Sequence, residues 1–440
     1  MSLIDNVKEA GIIGAGGAGF PTHVKIGCKA EYVIGNGAEC EPLLRVDQQL
    51  MAKYAADVVK GIMAVKEQTG AKQAVICLKA HYHDAVAALE QAAKGIPDLE
   101  IRKLKSFYPA GDEQQMVFEV TGRVIPTGGL PLDVGAVVCN VSTLVNIANA
   151  IDGKPVTDKL VTVGAQVAHP MTLRVPIGTP ISVLLTAAGA PEDMTDYTVV
   201  IGGPCMGKLT KNLDTPVTKT TGGLLVFHDG HPLLAKKCDN AEREIQLAKA
   251  VCCNCSMCTQ MCPRNALGLH VQPHKAMRAI AQGESSLLGS ANSVFSCCDC
   301  GLCTYFACNF GLSPSRMMQR LKSGMMAAGI KPVKEVPNAP DLEIKGKQVP
   351  VSRLMARLHI TEYDVPAPLN DTLVKVRKVI IPLKMSIGAP SVPVVAKGDS
   401  VAAGDLIAEI KEGALGSRIH ASIAGTVSAV TGESIEITMQ

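Results

Sequence analysis

The chain has 440 residues, a length that suggests about three domains. Hydrophobic residues make up 47% and charged residues 19%, which excludes a long disordered or collagen-like chain. The 43 Lys and Arg nearly balance the 40 Asp and Glu, and no basic run occurs, so the composition argues against a nucleic-acid partner. Every apolar stretch ends well before the roughly 18 residues of a membrane helix. Because Asp5, Lys8 and Glu9 also lie where a secretory signal would be apolar, we expect a cytoplasmic protein without a membrane span.

The first 150 residues alternate between helical and strand-like patterns. Residues 3–11 are predicted to form a short helix, and the apolar spacing over 50–69 predicts a longer one. Strands are predicted at 74–78 and 99–104, on either side of an Ala-rich helix at 84–94. This alternation is typical of an α/β layer.

The pattern then changes to short β-rich segments separated by Gly and Pro. Strands are predicted at 160–163, 173–175, 181–185 and 198–201. Their length and spacing favour a small unit of β-grasp size.

The C-terminal part is separated from the rest by a Pro-rich segment. Residues 331–370 begin with four prolines among charges, a composition typical of a stiff linker. The region after it is predicted to contain strands at 376–381, 392–395, 406–410, 425–430 and 435–438. These short strands predict a small β-barrel or sandwich.

Ten of the 16 cysteines lie between positions 252 and 308. In a long chain without a signal peptide, such a concentration indicates metal or redox chemistry rather than disulfides. The cysteines form two runs with the C-x2-C-x2-C spacing of bacterial 4Fe-4S ferredoxins, each followed by a fourth Cys: Cys252, Cys255, Cys258 and Cys262, then Cys297, Cys300, Cys303 and Cys308. The second run begins 45 residues after the first, and both begin C-C-x-C-x-x-C, which indicates an internal duplication.

The second run departs from the ferredoxin pattern at its end. Four residues rather than three separate Cys303 from Cys308, and Asn309 replaces the usual Pro, so Cys308 is the least supported ligand. In two-cluster ferredoxins the fourth Cys ligates the other cluster. One or two closed zinc sites are the alternative, but these are typically built from pairs of C-x2-C, which favours two 4Fe-4S clusters. The remaining thiols are expected to be small buried side chains: Cys28, Cys77, Cys139, Cys205 and Cys238.

A glycine-rich loop lies near the N-terminus. Gly14, Gly16 and Gly19 fit G-x-G-x-x-G, and Glu39 follows 20 residues later, but only Ile12 and Ile13 could form the preceding strand of a Rossmann fold. We therefore do not interpret the loop as a dinucleotide fingerprint. Its bare backbone can approach a phosphate or a flat ring closely.

Four ordered segments raise the specificity of this loop. They resemble the flavin-contacting motifs of the NADH-oxidising flavoprotein subunit of respiratory complex I and of the Rnf complex C subunit: 14–22, 36–42, 108–113 and 140–143. Residues 158–207 are similar to the soluble-ligand-binding β-grasp (SLBB) module of these families. The C-terminal segment resembles the lipoyl-like sandwich that the Rnf protein has at its N-terminus. This domain order is most similar to the cobalamin reductases of propanediol-utilisation microcompartments.

The resemblance implies a multidomain α/β and β fold. An N-terminal α/β domain that binds FMN and NADH would span 1–153, and the SLBB-like β-grasp domain would span 154–235. A helical ferredoxin-like domain with two 4Fe-4S clusters would follow at 236–330. After the linker at 331–370, a lipoyl-like β-sandwich barrel would occupy 371–440.

The resemblance also implies the site. The catalytic residues would be Glu39 and Glu113. The cofactor-binding residues would be Gly14, Gly16, Gly17, Gly19, Phe20, Lys25, Asn36, Glu39, Glu41, Gly111, Glu113, Asn140 and Thr143. The metal ligands would be the eight cysteines of the two runs.

The implied function is an NADH-dependent reductase that passes electrons through FMN and two 4Fe-4S clusters to a corrinoid. A base-off corrinoid motif is matched only in part, since Leu234 stands where Gly should follow Asp229 and His231, so the corrinoid would be a transient substrate. An adenosyltransferase or a microcompartment shell protein is a further partner to consider, with the protein inside the compartment. The alternatives are an Rnf-like electron-transfer protein serving a partner such as ferredoxin, and a non-enzymatic zinc and β-grasp module.

Overall fold

The computed structural model describes residues 1–237 and 240–439. The prediction that Cys238 is buried lies outside these residues. Within them, Cys77, Cys139 and Cys205 are buried as predicted, whereas Cys28 is only half-buried. No helix in the described ranges is both long and apolar enough to cross a bilayer.

The N-terminal part is a parallel sheet covered by helices. Its strands are β1 Tyr32–Gly37, β2 Gln73–Lys79, β3 Leu99–Leu104, β4 Phe107–Tyr108 and β5 Ala136–Asn140. Its helices are α1 Leu3–Glu9, α2 Thr22–Lys25, α3 Val46–Lys53, α4 Ala55–Thr69, α5 His83–Ala92, α6 Glu113–Thr121 and α7 Val141–Ile151. The sheet order is β3-β2-β1-β5 with every pair parallel. The predicted single helix over 50–69 is two helices, because the backbone leaves the helical conformation at Tyr54.

A second, mixed sheet follows. Its elements are β6 Asp158–Ala165, β7 Met171–Pro176, α8 Ile181–Ala187, β8 Tyr197–Ile201, β9 Lys208–Thr210 and β10 Gly223–His228, and the short helix α9 Pro232–Lys237 comes after them. The strand predicted at 181–185 is wrong, since this segment is α8. Ile181, Leu184 and Leu185 are buried against the sheet at helical spacing, and so short an apolar run does not by itself distinguish a helix from a strand.

The cysteine-rich region is helical. Its helices are α10 Ala241–Val251, α11 Met257–Gln260, α12 Pro263–Ala266, α13 Pro273–Gln282, α14 Ala291–Phe295 and α15 Pro314–Ala327. Both cysteine runs lie in the loops and short turns between these helices. The helices thus provide the scaffold, and the loops carry the thiols.

The C-terminal part contains one helix and nine strands. These are β11 Val349–Pro350, α16 Val351–Leu358, β12 Leu369–Leu373, β13 Lys378–Pro382, β14 Val392–Pro393, β15 Ser400–Val401, β16 Leu406–Glu409, β17 Ile419–His420, β18 Gly425–Val430 and β19 Ser434–Thr438. Two small sheets, β13-β19-β18-β15 and β14-β16-β17, form the predicted sandwich-like unit. Strand β12 instead joins the second sheet, where the order is β12-β7-β6-β10-β8-β9.

The segment predicted as a linker is only partly extended. Its second half contains β11, which pairs with β4, and α16, whose Leu354 and Leu358 are fully buried. The four prolines kept the sequence from revealing the amphipathic helix that follows the last of them. The segment therefore fastens the C-terminal part to the N-terminal domain instead of holding it at a distance.

Two apolar clusters join the parts of the chain. The largest contains Ile62 and Leu144 of the parallel sheet domain together with Val379 and Ile437 of the C-terminal sandwich. A second contains Tyr108, Leu302 and Leu354, from three different regions. Burial of apolar surface between the regions fixes the cysteine loops beside the carboxyl ends of the parallel strands.

Candidate functional site

A cavity of about 400 Å³ lies at the carboxyl ends of strands β1 and β5. Parallel α/β sheets bind ligands at this edge, and the volume is that of a small-molecule site. Twelve of the thirteen residues predicted to bind the cofactor line it: Gly14, Gly16, Gly17, Gly19, Phe20, Lys25, Asn36, Glu39, Glu41, Gly111, Glu113 and Asn140. Thr143 does not line the cavity, because its buried hydroxyl accepts a hydrogen bond from the N–H of Ala15 at 3.0 Å.

The glycine loop presents bare backbone to this cavity. The N–H of Gly14 donates to the carbonyl of Phe20 at 2.9 Å, which closes the loop. A Cβ on Gly16 would lie 2.6 Å from Nδ2 of Asn140, whereas a Cβ on Gly17 would meet nothing within 4 Å. The loop thus approaches the opposite wall at Gly16 and is open at Gly17, a shape that suits a phosphate or a ring edge.

Lys25 supplies a positive charge at the cavity. Its Nζ donates to the carbonyl of Val138 at 3.0 Å and lies 3.6 Å from Oε1 of Glu113. The ammonium group has three donors, so one remains for a ligand after these two contacts. An anionic group such as a phosphate fits this position.

The two asparagines mainly hold the cavity wall together. Nδ2 of Asn36 donates to the carbonyl of Gly111 at 2.9 Å, and Nδ2 of Asn140 donates to Asp47 at 2.9 Å. Oδ1 of Asn140 also caps α7 by accepting from the N–H of Ser142 at 2.8 Å. These contacts bring three of the four motifs into one wall.

Three buried carboxyl groups lie together beneath the cavity. Burial, and then the nearby charge of Asp47, raises the pKa of Glu39 to about 8. Burial also raises the pKa of Asp47 and that of Glu41. Glu41 accepts from the N–H groups of Cys205 and Met206 at 2.8 and 2.9 Å, so it fastens the second sheet to the cavity wall. Asp47 was missed from the sequence, because an Asp in the first turn of a helix is ordinary.

The cysteines surround two further cavities, and each cavity takes its fourth thiol from the other run. The first cavity is lined by Cys252, Cys255, Cys258 and Cys308. The second is lined by Cys297, Cys300, Cys303 and Cys262. This crossed arrangement is the one expected for a two-cluster ferredoxin.

A π-helical turn brings Cys308 to the first cavity. The turn spans Cys303–Ala307, and the N–H of Cys308 donates to the carbonyl of Cys303 at 3.1 Å. A π-turn holds one more residue than an α-turn and is frequent at functional sites. It absorbs the extra residue that made Cys308 the least supported ligand.

The duplication extends to the backbone of the cysteine loops. Asn254 and Ser256 of the first run have φ of 58°, and their counterparts Asp299 and Gly301 have φ of 58° and 73°. Within 1–237 and 240–439, no three side chains of His, Cys, Asp or Glu converge to hold a single metal ion. Four thiols around a cavity fit a cluster of several metal atoms better than the tetrahedral zinc alternative.

The flavin-motif cavity and the second cysteine cavity share a wall. Cys298 and Cys300 line both of them. The hydroxyl of Tyr108, in the third motif, donates to the carbonyl of Cys300 at 2.7 Å. A group in the first cavity would therefore lie next to a group held by the second set of thiols.

Comparisons with known proteins match the same three regions. Residues 7–149 match the Nuo51 FMN-binding domain, 251–313 a 4Fe-4S dicluster domain, and 367–439 the RnfC barrel sandwich hybrid domain. These matches confirm the flavin-binding, dicluster and sandwich domains predicted from the sequence.

Relatives match over most or part of the chain. "Cobalamin reductase PduS" of Salmonella typhimurium is 41% identical over 98% of this chain and 95% of its own length. The protein of the same name from Citrobacter freundii is 39% identical over 99% and 96%. The RnfC-like component of the "Na(+)-translocating ferredoxin:NAD(+) oxidoreductase complex" of Acetobacterium woodii is 35% identical over 61% of this chain and 58% of its own.

Proposed function

This chain belongs to the family of the PduS cobalamin reductases, and from that premise we propose that it carries electrons from NADH to a corrinoid, with FMN and two 4Fe-4S clusters as resident cofactors. It is an oxidoreductase by family. The observation that carries the proposal is the wall shared by the flavin-motif cavity and the second cysteine cavity. A hydride donor gives two electrons together, whereas clusters and cobalt accept them singly, and bound FMN supplies the conversion between the two.

The chain's own residues bind and orient the flavin in this proposal. Lys25 would neutralise the phosphate, and the open backbone at Gly17 would admit it. The close approach of Gly16 to Asn140 would fix how deeply the ring enters the cavity. Phe20 lines the same cavity and offers an aromatic face to a ring.

The two carboxyl groups proposed as catalytic would act differently. With a pKa of about 8, Glu39 is mostly protonated at pH 7, so its carboxyl can donate a hydrogen bond without adding negative charge. Glu113 is more exposed and pairs with Lys25, so it would orient that ammonium group. Both assignments belong to the proposal.

The corrinoid is proposed as the electron acceptor because both full-length relatives carry the name cobalamin reductase. A location inside a microcompartment, and contact with an adenosyltransferase or a shell protein, would follow from the same kinship. No residue is assigned to corrinoid binding, in keeping with a substrate that binds transiently.

The test is anaerobic. The protein is reconstituted with iron, sulfide and FMN, NADH is added, and the absorbance of cob(III)alamin is followed with and without protein. We expect NADH-dependent conversion to cob(II)alamin, and then to cob(I)alamin if it is trapped by alkylation. Failure of NADH to bleach the flavin and cluster absorbance would contradict the proposed electron donor.

A second candidate is an Rnf-like component that exchanges electrons with a protein such as ferredoxin. It is favoured by the 35% identity to the Acetobacterium woodii protein, which covers 61% of this chain. In the same experiment, bleaching of flavin and clusters with no change in cobalamin would favour this candidate. Reduction of added ferredoxin would then be the direct measurement.

A further inference from the structure

A buried ion pair crosses the wall between the flavin-motif cavity and the second cysteine cavity. Nε and Nη2 of Arg264 donate to the two carboxylate oxygens of Asp112 at 3.1 and 2.6 Å. The side chains are only 16% and 9% exposed, and Nη1 of Arg264 also donates to the carbonyl of Ser296 at 3.1 Å. Such two-pronged contacts fix the guanidinium in one orientation.

The two partners face different cavities. Asp112 lies in the third flavin motif and lines the first of these cavities. Arg264 follows Cys262 by two residues and lines the second cavity with Cys297, Cys300 and Cys303. The pair thus places one fixed positive charge beside the second set of thiols and one negative charge on the flavin side.

The first set of thiols has a different neighbour. The second position after Cys308, which corresponds to Arg264 in the duplicated run, is Phe310, and Phe310 lines the first thiol cavity and is 54% exposed. The duplication therefore produced two thiol cavities of similar geometry with different charge beside them. Reduction potentials of iron-sulfur clusters depend on local charge and on solvent exposure.

We propose that Arg264 and Asp112 set the reduction potential of the cluster that Cys262, Cys297, Cys300 and Cys303 hold, so that this cluster accepts electrons from the flavin. This inference rests on the proposed function. Uptake of one electron makes a thiolate-bound cluster more negative, so a nearby guanidinium favours the reduced state and a nearby carboxylate disfavours it. Both charges are largely shielded from water, which keeps these effects strong.

The two partners should therefore shift the potential in opposite directions. Arg264→Gln removes the positive charge and should lower the potential of one cluster, while Asp112→Asn removes the negative charge and should raise it. We expect about a tenfold change in the reduction equilibrium each way, which is ~59 mV for one electron. Arg264→Lys keeps the charge and should stay close to the wild-type potential.

The experiment is an EPR-monitored redox titration of the reconstituted protein, with iron and flavin content measured for every variant. Arg243→Gln, which removes an exposed arginine of the same domain, is the matched control and should shift neither cluster. Equal potentials in wild type and Arg264→Gln, or shifts of the same sign in both partners, would overturn the inference.

Variants that lose cofactor remain informative. If Arg264→Gln loses iron, the Asp112→Asn variant decides, since a raised potential supports the inference and an unchanged or lowered one overturns it. The proposed function fails separately: a wild-type protein that does not retain flavin and two clusters contradicts it before any variant is compared.

Discussion

At the scale of single residues, the cavity is shaped by what its glycines lack and by how its carboxyl groups are buried. Gly16 leaves no room for a side chain, since a Cβ there would approach Nδ2 of Asn140 to 2.6 Å. Glu39 is neutral near pH 7 because it is removed from water and lies close to Asp47. These two features give predictions that can be tested separately.

Gly16→Val should abolish or strongly reduce FMN retention. The branched side chain would force Asn140 away from Asp47 and would fill the entrance of the cavity. The measurement is flavin absorbance per protein after reconstitution and gel filtration, with iron content measured in parallel. Gly432→Val, at an exposed turn with nothing within 4 Å of the added Cβ, is the control and should retain FMN. Full FMN retention by Gly16→Val would show that the loop is not the flavin site.

Glu39→Gln should change how stability depends on pH. The folded-state pKa of Glu39 is raised from 4.5 to about 8, so folding takes up a proton between these values. The stabilising effect is full below about pH 4.5 and is lost as the pH rises towards 8, at up to about 1.4 kcal/mol per pH unit. Glutamine does not ionise, so the melting temperature of the variant should gain on that of wild type from pH 5 to pH 8.

A control isolates the burial of Glu39 as the cause. Glu433→Gln removes an exposed carboxyl and should leave the difference from wild type constant over the same pH range. A constant difference for Glu39→Gln as well would contradict the raised pKa.

At the scale of elements, the cysteine loops are read correctly from spacing, but their pairing depends on how the helices between them pack. The π-helical turn at Cys303–Ala307 brings Cys308 to the thiols of the first run, and Cys262 lies with those of the second. The irregular spacing thus belongs to a working cluster loop. It does not mark the loss of a ligand.

Cys308→Ser should remove or weaken the cluster of the first run and leave that of the second. Adding Cys255→Ser should then change the iron content no further, whereas adding Cys300→Ser should eliminate the remaining cluster. Iron and sulfide analysis with EPR of the reduced protein measures both. The reverse result, with Cys300→Ser silent in the Cys308→Ser background, would mean that each run holds its own cluster.

At the scale of the whole molecule, the apolar core does not respect the boundaries drawn from the sequence. Leu354 of α16 packs in one cluster with Tyr108 of the flavin motif and Leu302 of the second cysteine run. The C-terminal sandwich shares the largest core with the N-terminal domain. Stability and the relative position of the redox sites are therefore linked.

Leu354→Ala should destabilise the protein by about 2–5 kcal/mol, because it opens a cavity in this shared cluster. Leu342→Ala, at a fully exposed leucine in the same segment, should have little effect. Thermal and urea unfolding compare the two variants. Equal stability of the two would show that the segment from 331 to 370 behaves as a linker after all.

The sequence alone determined the chemistry of this protein and most of its elements. Ligand spacing, glycine-rich motifs and hydrophobic periodicity are local properties, so the eight cysteines, the flavin motifs and most strands could be predicted. The segment at 181–185 failed because a short apolar run suits a helix as well as a strand. Only the tertiary structure decided the partners of Cys262 and Cys308, the docking of α16, and the contact between Arg264 and Asp112. These depend on groups far apart in the chain, whose proximity results from burial of shared apolar surface.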